Sequence, residues 1–277
     1  MYSVTRRIRE TKQPRGGYIK PSSMMKTEFD DGVILHENEN ISPSITGMAV
    51  DYLTRFLTDG NKRKAFDISI RGVANAIRHK RSTKEETFAI YDRINVLDDE
   101  SIINACKLVS YDVWYRNLPA ALMSPSPDEI NPDKNTIENI RIMVKRGLTF
   151  FENYGPVIKY DFDFKPNGYT MIVSCGDGDF LTKDTLWDFK VSAKEPTKEN
   201  TLQLLMYFIM GKHSGQDIYK DIKNIGIFNP RLNAMYTLDM SLISEETIAE
   251  IENLVICYFN YAYTGTYTAW AFIMFKL

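Results

Sequence analysis

This chain of 277 residues has few cysteines and histidines, and it has no excess of positive charge. Its three cysteines, Cys106, Cys175 and Cys257, lie far apart and form no C-x-x-C pair. This pattern argues against a disulfide framework, a cysteine-rich zinc site and a four-cysteine iron–sulfur cluster. It predicts reduced, mostly buried thiols in a cytoplasmic protein. The three histidines show no spacing typical of metal ligands.

The formal net charge is −2, so no global basic field draws the protein onto nucleic acid, and any such contact must use local patches. No Walker phosphate-binding loop occurs, which argues against an ATP-driven motor. The first residues, MYSVTRRIRE, hold no apolar stretch and predict no secretion signal. A hydrophobic content of 44% is ordinary for a globular protein and allows a substantial core.

Composition divides the chain into four stretches. Residues 1–40 are polar and predict a solvated arm, whose early basic part has phosphate binding as its functional alternative. Residues 41–132 carry apolar positions at helical spacing and predict a mostly helical region that ends in the proline-rich connection 119–132. Residues 133–262 mix helical and strand patterns. The apolar tail 263–277 is too short for a membrane helix and predicts a strand, a buried segment or a surface for a protein partner or a second copy of the chain.

The stretch 133–262 reads as a helix, a meander of strands, a second helix and further strands. The first helix is predicted from Asn135 to just before Gly155, with apolar residues on one face. The predicted strands are 157–164, 169–174, the hairpin described next, 225–228 and 234–240. The fold class that follows is mixed α/β, with a central mixed β-sheet flanked by helices.

Two acidic residues meet in the predicted hairpin. In the stretch WDFKVS apolar and polar residues alternate, so Asp188 and Lys190 share the polar face of a strand. If Lys183–Asp184 is a two-residue loop, Asp179 lies directly opposite Asp188. Adjacent carboxylates are unfavourable unless they share a cation, so a divalent metal is expected there. In a longer loop Asp179 would be a solvated turn residue and Asp177 the better-placed acid.

A buried helix follows the hairpin. Pro196 and Thr197 give a helix-start signal, and residues 202–210 are apolar almost all round. Gln203 and Tyr207 are four residues apart and share one face. Polar groups in such a helix must find partners, and a polar cleft over the sheet would supply them.

Together these elements resemble the PD-(D/E)xK nuclease superfamily, in its RecB-like branch. The matching positions are Gly176 and Asp179 for G-x-x-D, Asp188 and Lys190 for D-x-K, and Gln203 and Tyr207 for Q-x-x-x-Y. The resemblance covers roughly residues 135–240 and implies a restriction-endonuclease-like core.

The resemblance also implies an activity, the hydrolysis of phosphodiester bonds in nucleic acid, above all DNA, by an exonuclease or endonuclease that needs Mg²⁺ or Mn²⁺. The implied metal ligands are Asp179, Asp188 and the backbone carbonyl of Phe189. Lys190 would orient or help deprotonate the attacking water. Gln203 would orient Lys190 or the substrate, and Tyr207 would bond within the cleft or contact a phosphate.

Several assignments stay open at this point. A further ligand from the first helix could be Glu138 or Glu152, with surface pairing to Arg141 or Lys145 as the alternative. A basic cluster is predicted either to contact nucleic acid or to form a solvated helix end; its members are Arg71, Arg78, Lys80 and Arg81.

Two alternatives compete with the enzyme as a whole. The first is a nuclease-like fold that binds nucleic acid or a protein partner without cutting. The second is purely structural, with Lys190 paired to Asp177 or Asp179 while Gln203 and Tyr207 satisfy buried hydrogen-bonding needs.

Overall fold

The computed structural model describes residues 2–258, in which helices cover both faces of a six-stranded mixed sheet. The predicted mixed α/β class is confirmed. The helices are α1 (Val4–Glu10), α2 (Pro43–Asp59), α3 (Lys62–Ala65), α4 (Asp67–Arg78), α5 (Lys84–Asp92), α6 (Asp99–Val109), α7 (Asp112–Arg116), α8 (Leu118–Leu122), α9 (Lys134–Tyr154), α10 (Lys198–Ser214) and α11 (Glu245–Glu250), which continues as a π-helix over Ile251–Ile256. The strands are β1 (Tyr2–Ser3), β2 (Met25–Glu28), β3 (Lys159–Phe162), β4 (Val173–Cys175), β5 (Gly178–Leu181), β6 (Thr185–Phe189), β7 (Asn224–Asn229) and β8 (Ala234–Asp239).

The main sheet has the strand order β2-β8-β7-β6-β5-β3. Strands β6 and β7 are parallel, as expected for neighbours joined by a crossover helix, here α10, and the other pairs are antiparallel. The strands predicted at 225–228 and 234–240 are confirmed as β7 and β8. The strand predicted at 169–174 is corrected, because β4 is short and pairs with β1 outside the main sheet.

Strand β6 separates two apolar cores because its side chains alternate between the faces of the sheet. Trp187 and Phe189 belong to the core that holds α2, α6 and α9, whereas Leu186 belongs to the core that holds α10. On the same side of β6 as Leu186, the side that faces α10, the next residues are the charged Asp188 and Lys190. The end of β6 is therefore where one face of the sheet turns polar.

Helix α2 begins after Ser42, whose hydroxyl accepts a hydrogen bond from the Ser44 N–H at 3.3 Å, and it ends at Gly60 with φ of +71°. Its apolar face packs on α6 and α9, so the helical region 41–132 shares a core with the sheet. The proline-rich connection 119–132 links two parts of that core. Within residues 2–258, no helix combines the length and apolar character needed to cross a membrane.

Residues 2–40 do not form the solvated arm that their charges predicted. The buried residues Val4, Ile8, Ile19 and Met24 join the core around α10, and β2 forms an edge strand against β8. Beyond β2, the side-chain amide of Asn139 on α9 forms two hydrogen bonds with the backbone of His36. Its Oδ1 accepts from the His36 N–H at 2.8 Å, and its Nδ2 donates to the His36 carbonyl at 2.9 Å. Apolar residues spaced between many charges produce this amphipathic segment, which overall composition does not reveal.

Two further expectations concern the cysteines and the tail. Cys106 is buried, but Cys175 is exposed and Cys257 is half-buried, so the prediction of mostly buried thiols is wrong. All three are free thiols, as expected. The apolar tail 263–277 lies outside the described residues.

Gly226 is a point of close packing between β6 and β7. A Cβ there would lie 2.4 Å from Cζ3 of Trp187, whose indole N–H is held by the Thr182 hydroxyl at 3.0 Å. We therefore expect Gly226→Ala to lower the free energy of unfolding by about 1–3 kcal/mol, through overpacking. Urea denaturation followed by circular dichroism measures the change.

The matched control is Gly47→Ala in α2, where a Cβ would meet Val191 at an ordinary 3.6 Å. That change should stabilise the protein by about 0.5–1 kcal/mol, because alanine loses less backbone entropy in a helix. Equal unfolding free energies for the two variants would contradict the packing argument.

Candidate active site

The hairpin between β5 and β6 has the predicted two-residue loop. Phe180 pairs with Trp187 and Leu181 with Leu186, and the Thr182 N–H donates to the Thr185 carbonyl at 3.0 Å. This register brings Asp179 opposite Asp188, as the sequence predicted. The longer-loop alternative is thereby excluded.

Asp179 is fixed by the strand opposite it. Its Oδ2 accepts a hydrogen bond from the Phe189 N–H at 2.6 Å, while its side chain remains about 30% exposed. One carboxylate oxygen thus anchors the residue to β6. The other, Oδ1, is turned toward the basic side chain described below.

Asp188 and Lys190 share a face, as predicted, and Lys190 Nζ lies 3.0 Å from Asp188 Oδ1. Asp188 is almost fully buried, and its Oδ2 has no hydrogen-bond partner within the described structure. Burial raises the pKa of Asp188 to about 6; Lys190 opposes the rise and Asp179 adds to it. Burial alone lowers the pKa of Lys190, but the facing Asp188 and Asp179 carboxylates outweigh it and raise that pKa. Lys190 is therefore a cation in this arrangement.

Helix α10 faces the two carboxylates from above the sheet. It begins at Thr197, which forms a reciprocal capping box with Asn200, in agreement with the predicted start. The Gln203 Nε2 donates to the Tyr207 hydroxyl at 3.0 Å, and both residues line the same cavity as Asp188. Burial raises the pKa of Tyr207, so its hydroxyl stays protonated. The predicted polar pair thus meets the polar end of β6.

Gly176 allows the first residues of the chain to cover the turn before β5. Its φ is +152°, and a Cβ at this position would lie 2.7 Å from Cγ2 of Val4. The backbone of β4 just before this turn also pairs with Tyr2 and Ser3. The glycine of the G-x-x-D element therefore allows α1 to pack closely against the site.

Strand β3 supplies a third carboxylate, which the sequence analysis missed. The register Tyr160–Phe180 and Phe162–Gly178 puts Asp161 beside Asp179. Asp161 has φ of +49°, and its neighbours Tyr160 and Phe162 belong to cores on opposite faces of the sheet. A left-handed aspartate inside a strand costs energy and often marks a functional site. A regular period-2 strand would place Asp161 on the face opposite to both Tyr160 and Phe162, so the pattern gave no sign of the left-handed backbone at Asp161.

Helix α2 supplies a fourth carboxylate and a guanidinium, also missed. Arg55 Nε lies 2.8 Å from Asp51 Oδ1, its Nη1 lies 2.5 Å from Asp161 Oδ1, and its Nη2 lies 3.9 Å from Asp179 Oδ1. The Arg55 side chain is only 9% exposed. Burial raises the pKa of Asp51 to about 7; Arg55 opposes this, and Asp179 and Asp161 add to it. The four-residue spacing of Asp51 and Arg55 was the available signal.

These groups line one cavity of about 850 Å³ at the end of the sheet. Its walls come from the start of α1, from α2, α3, α4 and α7, from β3, β4, β5 and β6 with the residues that follow β4 and β6, and from α10. Among the described residues it is lined by six carboxylates and five basic side chains: Asp51, Asp67, Asp161, Asp177, Asp179 and Asp188, with Arg55, Lys64, Arg71, Arg116 and Lys190. The charges nearly balance, so one divalent cation would make the lining net positive.

Most of the predicted basic cluster lies elsewhere. Arg71 lines the cavity, but Arg78 borders an apolar groove beside Phe88, and Arg81 binds the Leu122 carbonyl at 3.4 Å. Lys80 is exposed at the end of α4. The basic residues that join Arg71 at the cavity are Lys64 and Arg116.

Neither predicted helix-borne acid reaches the site. Glu138 pairs with Arg141 at 3.0 Å on α9, and Glu152 is exposed on the same helix. Surface pairing, the alternative for Glu138, is confirmed. Helix α2, rather than α9, brings an acid to the sheet.

Among the described residues, the side chains of this cavity are not already arranged as a metal-binding site. Within residues 2–258, no three acidic, histidine or cysteine side chains are already arranged to hold a metal ion. The donor chemistry nevertheless fits a hard cation, because Asp179 and Asp188 present carboxylate oxygens and Asp188 Oδ2 lacks a partner. The guanidinium of Arg55 lies between the carboxylates of Asp51, Asp161 and Asp179, so an ion would have to bind beside this guanidinium or displace it.

No protein-family model matches the sequence, and comparisons with curated proteins and with solved structures give no match either. Inferences about function therefore rest on the residues and the geometry of the cavity.

Proposed function

We propose that the protein is a metal-dependent nuclease that hydrolyses phosphodiester bonds in DNA. The observation that carries the proposal is the meeting of Asp179, Asp188 and Lys190 with Gln203 and Tyr207 at the polar end of one cavity. The order of the main-sheet strands and their helices, α9-β3-β5-β6-α10-β7, supports it as well, since the core of the family resembled has a helix, three strands, a helix and a strand; β4 follows β3 in the chain but lies outside this sheet. On this proposal the sheet and its helices form a restriction-endonuclease-like core.

Asp179, Asp188 and the Phe189 carbonyl would hold Mg²⁺ or Mn²⁺, which on binding polarises the phosphate, lowers the pKa of a water and stabilises the leaving oxygen. The unpartnered Oδ2 of Asp188 supports this assignment, because a buried carboxylate oxygen without a hydrogen bond is costly. Asp51 from α2, which lines the same cavity, is a further candidate ligand.

The chain's own side chains provide position and charge. Lys190 orients the attacking water and offsets charge on the phosphate. Gln203, already bonded to Tyr207, keeps that hydroxyl turned along the cavity wall, where it can donate to a phosphate oxygen. Arg55 keeps Asp51, Asp161 and Asp179 close together despite their mutual repulsion.

The second candidate is a nuclease-like fold that binds nucleic acid without cutting it. Arg55 favours this candidate, because its guanidinium already neutralises carboxylates at the place where an ion would act. The intact Asp188–Lys190 pair favours cleavage. The two candidates differ in their response to metal.

We expect end-labelled DNA to be cut in Mg²⁺ or Mn²⁺ and to stay intact in EDTA, as read on denaturing gels. Calorimetric titration with Mn²⁺ alone should show binding that Asp188→Asn weakens by roughly tenfold or more, since one charged ligand is lost. DNA binding without cleavage in any divalent ion would instead favour the binding module.

A further inference from the structure

Helices α4 and α5 leave an apolar groove between them, separate from the cavity at the end of β6. Both helices pack on α6, whose buried Leu108 lies at the floor of the groove, and the groove has a volume of about 560 Å³. No described residue lines both the groove and the cavity. Helix α4 borders both spaces, because Asp67 and Arg71 face the cavity whereas Ile70 and Ile77 face the groove. A molecule in the groove therefore lies one helix away from the carboxylates.

The two walls of the groove are helix faces that carry mainly apolar side chains. The lining residues run from Ile70 to Ile77 on α4 and from Lys84 to Tyr91 on α5, in each case at positions i, i+3, i+4 and i+7. Such residues form one face over two turns of helix, about 10 Å in length. Phe88, midway along the α5 face, is 61% exposed, so the groove is open to solvent. An open groove of this shape fits the apolar face of a third helix, whereas small-molecule sites enclose most of their ligand.

The charged residues on the rim of the groove are Arg63, Arg78 and Lys84, and the described lining includes no acidic residue. Arg63 belongs to α3 and lies at the end where α4 begins. Arg78, in the last turn of α4, and Lys84, in the first turn of α5, lie at the other end. Nearby Lys64 and Arg93 pair with carboxylates, but within residues 2–258 none of the three rim cations does. The rim therefore offers unpaired positive charge at both ends of an apolar groove.

These charges select among the molecules that can cover the apolar walls. A second copy of the chain that presents the same face would bring like charges together, which costs binding energy. The apolar tail 263–277 has a single charged side chain, Lys276, whose sign is that of the rim. A helix whose apolar face is flanked by carboxylates instead buries the walls and pairs with the cations at both ends.

We propose that the groove between α4 and α5 binds an acidic amphipathic helix of a partner protein. Phe88 packs against the apolar face of that helix, and Arg63, Arg78 and Lys84 bind its carboxylates. The proposal goes beyond the nuclease assignment and does not depend on it, since binding in the groove requires no residue of the cavity.

The test begins with a phage-displayed library of randomised helical peptides, each about 15 residues long, selected on the full-length protein. Soluble Phe88→Asp protein is added in excess, so that peptides bound outside the groove are removed. We expect the enriched peptides to carry apolar residues at i, i+3 or i+4 and i+7, and an excess of Asp and Glu. Fluorescence anisotropy then measures the affinity of a labelled enriched peptide.

Reversal of the rim charge tests the ionic part of the recognition. Arg63→Glu with Lys84→Glu should weaken binding of the acidic peptide by at least about tenfold. A second peptide, in which lysine replaces each acidic residue, should bind this double variant and not the wild type. The matched control is Lys165→Glu with Lys183→Glu, two exposed lysines outside the groove, which should leave the affinity unchanged.

Truncation of the aromatic ring tests the apolar part. Phe88→Ala should weaken binding of the acidic peptide by about tenfold, because an aromatic residue at the centre of a groove commonly carries much of the binding energy. The matched control is Leu242→Ala, an exposed apolar residue on another surface, for which the affinity should not change. Circular dichroism verifies that every variant is folded.

Several results would overturn the proposal. These are no enrichment, enriched peptides without an acidic excess, and equal affinity of the wild type and the charge-reversed variant for the acidic peptide. A dimer in sedimentation that Phe88→Ala dissociates would assign the groove to a second copy. Oligothymidylate that displaces the peptide as well as unlabelled peptide does, at equal charge concentration, would assign it to nucleic acid.

Discussion

Asp188→Asn and Lys190→Ala should each reduce metal-dependent DNA cleavage by roughly 10²–10⁴-fold. The first substitution removes the buried carboxylate that faces Asp179, and the second removes the cation 3.0 Å from it. Both changes leave the β5–β6 hairpin intact, because its register depends on backbone bonds and on the Trp187–Thr182 contact. Initial rates on labelled DNA in Mg²⁺ measure the loss.

Stability measurements distinguish a lost reaction from a lost fold. In EDTA the melting temperature of Asp188→Asn should stay close to that of the wild type, because burial disfavours the charged form of Asp188, raising its pKa to about 6, and this cost offsets the lost pairing with Lys190. The rise in melting temperature on adding Mn²⁺ should be smaller in that variant, because its affinity for the metal is expected to fall by roughly tenfold or more. The matched control is Asp217→Asn, an exposed aspartate paired with Lys220 at 2.6 Å, for which rates should not change. Cleavage that persists in both site variants would remove this site from the mechanism.

Arg55→Met should lower the free energy of unfolding by about 3–5 kcal/mol above neutral pH, because it leaves a cluster of part-buried carboxylates without their shared cation. The effect should depend on pH. Burial already raises the pKa of Asp51 to about 7 with Arg55 present, and removal of Arg55 raises it further. A carboxyl whose folded pKa exceeds its unfolded value of about 3.9 contributes stability at low pH and loses it as pH rises through the folded pKa. The part of the deficit that comes from Asp51 should therefore be small near about pH 4, and it should grow as the pH rises past the wild-type pKa of about 7.

Denaturant titrations at several pH values in EDTA measure this profile. The matched control is Arg71→Met, because Arg71 and Asp67 repeat the four-residue spacing and close contact of Arg55 and Asp51 on an exposed surface. That control should cost about 0–1 kcal/mol and show no such trend with pH. A pH-independent deficit in Arg55→Met would mean that Arg55 acts through packing rather than through charge.

Short-range patterns predicted the parts of the site that lie close together in the chain. A two-residue loop and strict alternation fixed the Asp179–Asp188 pairing, and a start signal with four-residue spacing fixed the face shared by Gln203 and Tyr207. Each of these depends on local geometry alone. Residues 176–207 are therefore the part of the site that local sequence patterns predict best.

Tertiary packing brings the other residues of the site into place, and short-range sequence patterns do not record that packing. Asp51 and Arg55 lie on a helix that apolar spacing predicts, but that spacing does not show that Arg55 meets Asp161, which is 106 positions further along the chain. Asp161 depends on a left-handed backbone inside a strand, which a period-2 pattern does not reveal. Sequence order favoured an acid from α9, the helix just before β3, whereas packing places α2 and its Asp51 at the cavity.

The cavity joins distant parts of the chain, because Val4 packs closely on Gly176 and the Lys190 N–H donates to the Phe228 carbonyl at 2.9 Å. During synthesis, a nascent chain that stops short of β7 lacks the bond that holds Lys190 in place. We therefore expect the carboxylates and Lys190 to be assembled only after β7 has left the ribosome.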